Sequence, residues 1–370
     1  MATKLGEYQE KRDADRTPEP FPDGAETGSD DGDTFVIQEH HARRLHWDVR
    51  LERDGVLVSW AVPMGLPNDP ETTHLAVHTE DHPLAYRTFE GTIPAGEYGA
   101  GRMSIWDCGR YETLHWNDHK VDVVLRGERA NGRYELVNQH DEDEPRKWMI
   151  RRKHAAADGW ERLPSFLKPM LAECGKIPPT APKGRWAYEF DWSGLRTSAR
   201  IRGGRVVLLD ADGNDVTDSF PELRGLGEGF GSTEAYLDGE IIVLDQGKTS
   251  SDALARRRQV TTVSAAKRLV RQLPAVYLAY DILHYDGEVR WDLPYLDRRA
   301  LLADLGLSDE HWQTPEHYLD EGEAVLEASE AHGLAGVVAK RTTSPYRSGE
   351  RSRDWRLIPT TTRTCETVSR

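Results

Sequence analysis

The run Leu45-His46-Trp47-Asp48-Val49-Arg50-Leu51 alternates apolar and polar side chains without a break. Successive side chains of a strand face opposite ways, so His46, Asp48 and Arg50 share one face at a spacing of about 7 Å. Leu45, Trp47, Val49 and Leu51 share the other face and fix the register of the polar one. His40, just upstream, completes a two-histidine, one-carboxylate set of the kind that holds a divalent transition metal with open positions. A metal there polarises a phosphoryl oxygen or activates a water, and Arg50 offers phosphate oxygens a planar fork of donors. The run LAVHTEDHPLAY reads as a second strand-like stretch with Glu80 and His82 on one face and Tyr86 following. Glu80 can orient an imidazole, while His82 can bond phosphate or protonate a leaving oxygen. Any one of these histidines alone reads as an ordinary half-buried residue of a β domain; the set carries the chemistry. An iron(II) oxygenase shares the His46-x-Asp48 pattern with a later His, but Arg50 beside the carboxylate favours phosphate.

These residues sit in a stretch built of strands. From Phe35 to Arg152, short runs such as VLVSWAV, MSIWDC, VDVVLRG and KWMIRR are punctuated by Asp-Gly and Asn-Gly turns, which predicts an antiparallel barrel or sandwich over 34–154. Residues 1–33 carry almost no apolar periodicity and read as a disordered acidic arm. A Pro-, Gly- and Ala-rich stretch over 155–185 predicts a linker and the start of a further region. Residues 186–370 mix strands with helices near 251–272, 297–305 and 321–332, the last stopped by Gly333, an α+β domain.

A net charge of −15 excludes non-specific coating of nucleic acid, so any DNA contact is local. Candidate basic clusters are Arg43 with Arg44; Arg146, Lys147, Arg151, Arg152 and Lys153; and Arg256, Arg257, Arg258, Lys267, Arg268 and Arg271. Cys108, Cys174 and Cys365 read as isolated thiols of a reducing compartment. No signal-peptide or membrane-length apolar run is present, which predicts a soluble cytoplasmic protein.

QEHHARRLHWDVRLERDG, SWAVPMG, EDHPLAYRTFEGTIPAGEYGAG and KWMIRRK together resemble the 3′-phosphoesterase module of the bacterial non-homologous end-joining ligase D. The resemblance implies a small β barrel, dependent on Mn2+ or another divalent transition metal, that trims 3′-terminal ribonucleotides and removes 3′-phosphates. It places His40, His46 and Asp48 on metal ligands, Arg50 and His82 on phosphate contacts, and Tyr86, Ser59 and Glu80 on supporting positions. Met64 stands where the family usually has Lys. The implied partners are DNA 3′ ends or primer-template, with Ku-like, polymerase and ligase proteins of end joining, in the bacterial cytoplasm at the nucleoid.

FLKPMLAECGK, WAYEFDWSGLR, YLDGEIIVLD, YDILHYDG and GLAGVVAKRTTSPYRSGERSRDW resemble the adenylation domain of ATP-dependent DNA ligases, an α+β nucleotidyltransferase-like, ATP-grasp-like fold. There a Lys within Glu-x-Lys-x-Asp-Gly-x-Arg attacks the α-phosphate of ATP. Here Asp191 holds that position; Ser193, Ala211, Ala335, Leu357 and Pro359 replace an Asp, an Arg, a Glu and two lysines of the family's motifs. Arg196, Glu240 and Lys340 persist as vestigial nucleotide-binding positions. The resemblance thus predicts a folded, catalytically degenerate adenylation domain with ATP a doubtful cofactor. With the sequence ending near Arg370, an oligonucleotide-binding barrel is not expected. The alternatives are a working ligase that uses another Lys, such as Lys183, and a non-enzymatic repair scaffold.

Overall fold

The computed structural model describes residues 4–21, 32–179 and 182–361. The chain divides into two compact units between Trp160 and Glu161. The first holds the short helix α1 (Gly6–Glu10) and strands β1 (Thr34–His41), β2 (Leu45–Arg53), β3 (Val56–Val62), β4 (Thr73–His78), β5 (Gly91–Ile93), β6 (Gly101–Asn117), β7 (Lys120–Arg126), β8 (Asn131–Asn138) and β9 (Lys147–Arg152). They run antiparallel in the order β1-β2-β3-β4-β9-β8-β7-β6, and β6 pairs back onto β1, closing a barrel of eight strands with β5 attached to β6. Closure leaves no open edge among those eight.

Alternation decides which side chains fill the barrel. Phe35, Ile37, Trp47, Val49, Leu51, Trp60, Val62, Tyr134, Leu136 and Trp148 form its core. Gln38, His40, Asp48, Arg50 and Ser59 occupy the intervening positions and are buried as well, because a second apolar cluster, made of Tyr8, Leu57, Leu84, Tyr86, Phe89, Ile93 and Met103, lies outside the barrel core. A polar row between two apolar layers must find its hydrogen-bond partners within the protein.

The structure departs from the sequence expectations at several points. Residues 4–21 are not a disordered arm: Tyr8 is fully buried, its hydroxyl donates to Pro20 O at 2.7 Å, and Glu19 is buried. The rest of the predicted arm, apart from 32 and 33, lies outside the described residues. LAVHTEDHPLAY is strand only to His78; His82 makes an isolated bridge to Leu57, and Leu84–Thr88 form a 3-10 turn. The basic run near 146–153 is not an open patch, since Arg146 pairs with Glu7, Lys147 with Glu144, Arg151 and Lys153 with Glu135, and Arg152 is buried. Cys108 is free, but Cys174 is disulfide-bonded rather than an isolated thiol. Part of the predicted linker is built into the second unit: Leu163 and Met170 join a core cluster with Tyr236 and Trp355.

The second unit contains β10 (Leu171–Cys174), β11 (Trp186–Asp191), β12 (Leu195–Arg202), β13 (Arg205–Asp210), β14 (Ala235–Asp245), β15 (Lys248–Thr249), β16 (Ala275–Tyr285), β17 (Glu288–Val289), β18 (Trp312–Gln313), β19 (Tyr318–Leu319), β20 (Gly336–Arg341) and β21 (Arg351–Pro359). Its helices are α2 (Gly225–Glu228), α3 (Ser251–Arg258), α4 (Val263–Val270), α5 (Tyr295–Asp304) and α6 (Gly322–Ala331). One sheet runs β10-β21-β20-β11-β19, and another β13-β12-β14-β16-β17, with β15 on β14 and β18 on β16. The helix read near 251–272 is two helices; the first is capped by Ser250, whose hydroxyl accepts from Ala253 N. This is the α+β architecture that the strand and helix pattern predicts.

Candidate active site

In the first unit, β1 and β2 pair His40 with His46 and Gln38 with Asp48, so the hairpin alone assembles a set that could hold a metal. His40, His46 and Asp48 offer ligand atoms all within 4.8 Å of one another. His40 Nδ1 and His46 Nε2 face each other at 3.1 Å, and each lies 3.7 Å from an Asp48 carboxylate oxygen. The outer nitrogens settle the tautomers: His40 Nε2 donates to Gly99 O at 2.9 Å and His46 Nδ1 donates to Arg44 O at 3.0 Å. A backbone carbonyl can only accept, so in the neutral rings both inward nitrogens carry lone pairs. Two lone pairs and a carboxylate converging on one point fit a divalent cation, and carbonyls that fix the rings are the usual support of such a site. Burial pushes the His40 imidazole below its ordinary value, which keeps it a neutral ligand.

Arg50 is spread across the floor of the same site. Its Nε donates to Gln38 Oε1 at 2.7 Å, Nη1 to Ser59 Oγ at 3.0 Å and Nη2 to Asp48 Oδ2 at 2.9 Å. Gln38 is itself anchored, donating to Phe89 O at 2.8 Å, and the Tyr86 ring lies 4.7 Å from the guanidinium. This planar cation is therefore locked in orientation next to the cation site.

His82 and Glu80 belong to an adjoining layer built with the N-terminal segment. Arg12 Nε donates to Glu19 Oε1 and its Nη1 to Glu80 Oε1, both at 2.8 Å, while Nη2 approaches His82 Nε2 at 3.3 Å. His82 Nδ1 donates to Glu80 O at 2.8 Å, and Tyr86 Oη donates to Glu19 Oε1 at 2.7 Å. Burial, with Arg50 and Arg12 nearby, pushes the His82 ring well below its ordinary value. It is thus uncharged at neutral pH, its Nε2 lone pair facing Arg12. Burial favours a protonated Glu80, but hydrogen bonds from Lys11 and Arg12 outweigh it and hold that carboxyl below the usual range. Sequence reasoning missed Tyr8, Lys11, Arg12, Glu19 and Gln38. The only signal for the first three was the run GEYQEKR, helical in propensity but sitting in an otherwise featureless arm. Met64, half-buried in the turn after β3, enters none of these contacts.

The second unit gathers its conspicuous residues around the ends of β11 and β12. Asp191 Oδ1 accepts from Ser193 N at 2.9 Å, and Asp191 O accepts from Ala335 N at 3.2 Å. Leu357 pairs with Val338 and Pro359 with Gly336, whose other neighbour is Asp191. Thus Asp191, Ser193, Ala335 and Pro359 are brought together, whereas Ala211 lies apart in the turn after β13. Glu240 accepts from Gly194 N at 2.8 Å and from Tyr280 Oη; burial and the Asp191 charge raise its carboxyl to about 7. Lys340 is buried, 2.6 Å from Glu189 Oε2 and 4.3 Å from the Trp355 ring centroid. Arg196 pairs with Asp238, which also accepts from Tyr346 Oη. Lys183 is exposed before the start of β11.

Residues 38–138 match the family described as DNA Ligase D 3′-phosphoesterase domain, and residues 169–357 that described as ATP dependent DNA ligase domain. The multifunctional non-homologous end joining protein LigD of Mycobacterium bovis is 41% identical over 362 residues, which cover 96% of this chain and 45% of that protein. The protein of the same name from Pseudomonas aeruginosa is 32% identical over 402 residues, covering 95% of this chain and 46% of its own length. The chain thus spans about half the length of the curated relatives it matches. Among solved structures, a mycobacterial DNA ligase D complexed with ATP and MES aligns over 53% of this chain and 60% of its own, at 32% identity and a TM-score of 0.43.

Proposed function

The chain belongs to the bacterial ligase D family, with a 3′-phosphoesterase domain followed by an ATP-dependent ligase domain, and from that premise we propose that its first unit is a divalent-metal enzyme that removes 3′-phosphates and 3′-terminal ribonucleotides from DNA. The observation that carries this reading is the convergence of the His40 and His46 lone pairs on Asp48, with the Arg50 guanidinium fixed 2.9 Å from the same carboxylate. His40, His46 and Asp48 would hold manganese or another divalent transition metal, which supplies Lewis-acid polarisation of the phosphoryl group. Arg50 retains N–H donors beyond those bonded to Gln38, Ser59 and Asp48, and these meet the equatorial oxygens as their charge builds. Tyr86 and Ser59 hold Arg50 in place. His82, uncharged and wedged between Arg12, Tyr8 and Tyr86, acts in this resting arrangement as a positioning group; donating a proton to a leaving oxygen would first require release of its Arg12 contact and uptake of a proton at Nε2. The test is turnover of a primer-template bearing a 3′-ribonucleotide or 3′-phosphate with manganese, after chelation and after re-addition. Turnover that survives chelation would sink the reading.

A second reading concerns the ligase-like unit, which we take to be an adenylation domain that no longer adenylates. A carboxylate at Asp191 cannot form a phosphoramidate and repels a triphosphate. Lys183 cannot substitute, because it lies at the opposite end of β11, and the strand alone spans roughly 16 Å at its rise per residue. Ku-like, polymerase and ligase proteins of end joining are the partners that the family resemblance implies.

A further inference from the structure

The loop before β6 and the hairpin turn between β1 and β2 meet beside the metal-binding set. A Cβ placed on Gly101 would lie 2.4 Å from His41 O and 2.8 Å from Ala42 Cα, so the two backbones are in direct contact. The register pairs Arg102 with His41, one residue from His40, and Arg43 and Arg44 occupy the turn between the two ligand-bearing strands. Arg44 O and Gly99 O are the carbonyls that orient His46 and His40. Three arginines therefore lie on the backbone segments that carry and orient the ligands, Arg43 and Arg44 in the turn and Arg102 at the end of β6, on the face that it shares with His41.

Their state is unusual for this protein. Arg43, Arg44 and Arg102 are exposed, and none makes an ion pair or side-chain hydrogen bond among the described residues, although the chain has 63 acidic residues against 48 basic ones. The carboxylate of the adjoining loop, Glu97, is already taken by Arg16 at 2.6 Å. Next to Gly99, Tyr98 is 48% exposed, yet its ring is held 4.7 Å from Lys11 Nζ and 5.3 Å from the Arg12 guanidinium. An exposed aromatic ring next to the residue that orients His40, on the same backbone segments as unpaired guanidinium groups, offers what single-stranded nucleic acid requires: stacking for a base and cations for successive phosphates.

We propose that Arg43, Arg44 and Arg102 grip backbone phosphates of the DNA strand that ends at the metal site, and that the Tyr98 ring stacks on the base of its terminal nucleotide. The placement of the terminus rests on the phosphoesterase reading above. The rim explains how a strongly acidic protein approaches a polyanion, since the favourable field is confined to the few residues around the reacting phosphate.

Binding of the full chain to a fluorescent primer-template, followed by anisotropy across a salt series, tests the grip without turnover. The variant with Arg43→Ala, Arg44→Ala and Arg102→Ala is expected to bind at least tenfold more weakly at low salt. Its log-log salt slope should fall by about two, because each phosphate contact contributes about 0.7–0.9. A control with Arg110→Ala, Arg126→Ala and Arg133→Ala removes the same charge from ion pairs elsewhere on the barrel and should keep the wild-type slope. A rim variant with the wild-type slope, or a control that loses as much, overturns the grip. For Tyr98, quenching of a 3′-terminal 2-aminopurine should persist in Tyr98→Phe and be lost in Tyr98→Ala; equal quenching in both overturns the stacking. A wild type that shows both binding signatures yet turns over no 3′ end refutes the phosphoesterase reading while the strand grip stands.

Discussion

His40 Nδ1 and His46 Nε2 stand 3.1 Å apart while the other nitrogen of each ring faces a backbone carbonyl, so in their neutral forms the two rings turn lone pairs toward each other. Such a pair is repulsive until a cation fills the gap. We expect manganese to raise the melting temperature of the wild type and to leave that of Asp48→Ala or His46→Ala nearly unchanged, with 3′-end processing abolished in both variants. Wild-type turnover in either would remove the assignment of this site.

Arg12 is buried between two carboxylates and a neutral imidazole. Arg12→Ala strands Glu19 without its cation and leaves Glu80 with Lys11 alone, a loss on the order of 3–5 kcal/mol for a broken buried pair. A drop in thermal stability of the first unit and a fall in turnover of at least tenfold are expected together, since Glu19 also holds Tyr86. Unaltered melting would mean that the N-terminal segment does not pack here in solution.

The depressed His82 makes stability depend on pH. The unfolded ring takes up a proton below its ordinary value of 6.5, whereas the folded ring resists, so this contribution is full above pH 6.5 and is lost as pH falls below it. The loss approaches about 1.4 kcal/mol per pH unit until the folded ring titrates. Asp81, raised to about 6 by burial, acts in the opposite sense, its contribution fading as pH rises through that value. The comparison that isolates His82 is therefore melting of the metal-free wild type against His82→Gln between pH 5 and 7.5. Parallel curves would contradict a buried neutral ring.

In the ligase-like unit we expect no covalent adenylate with α-labelled ATP, and none after Asp191→Lys alone. The new amine would lie beside Glu240, while Lys340 stays committed to Glu189 in a buried pair, and Ala211, Ala335, Leu357 and Pro359 supply no charge to the departing pyrophosphate. Each absent contact is worth on the order of 2–4 kcal/mol in a transition state. Denaturing electrophoresis reads the result: a labelled wild-type band overturns the pseudo-ligase reading, and a band only in the variant shows that the pocket survives and that the nucleophile alone was lost.

The sequence by itself determined whatever repeats with the period of a strand. Alternation over Leu45–Leu51 dictated that His46, Asp48 and Arg50 face one way and the apolar residues the other, because the side-chain period is two and only one register buries the tryptophan. Turn residues set the strand lengths, and the replaced motif positions of the ligase-like unit were visible as letters. Tertiary structure decided what local pattern cannot carry. Tyr8, Arg12 and Glu19 have no periodicity of their own; they fold because Glu80, His82 and Tyr86, far along the chain, offer a buried surface with unpaired polar groups that only a distant arginine and carboxylate complete. The same holds for the basic run near residue 150, whose pairing with Glu135 and Glu7 no local pattern carries, and for Arg43, Arg44 and Arg102, whose lack of partners among the described residues is a property of the folded surface alone.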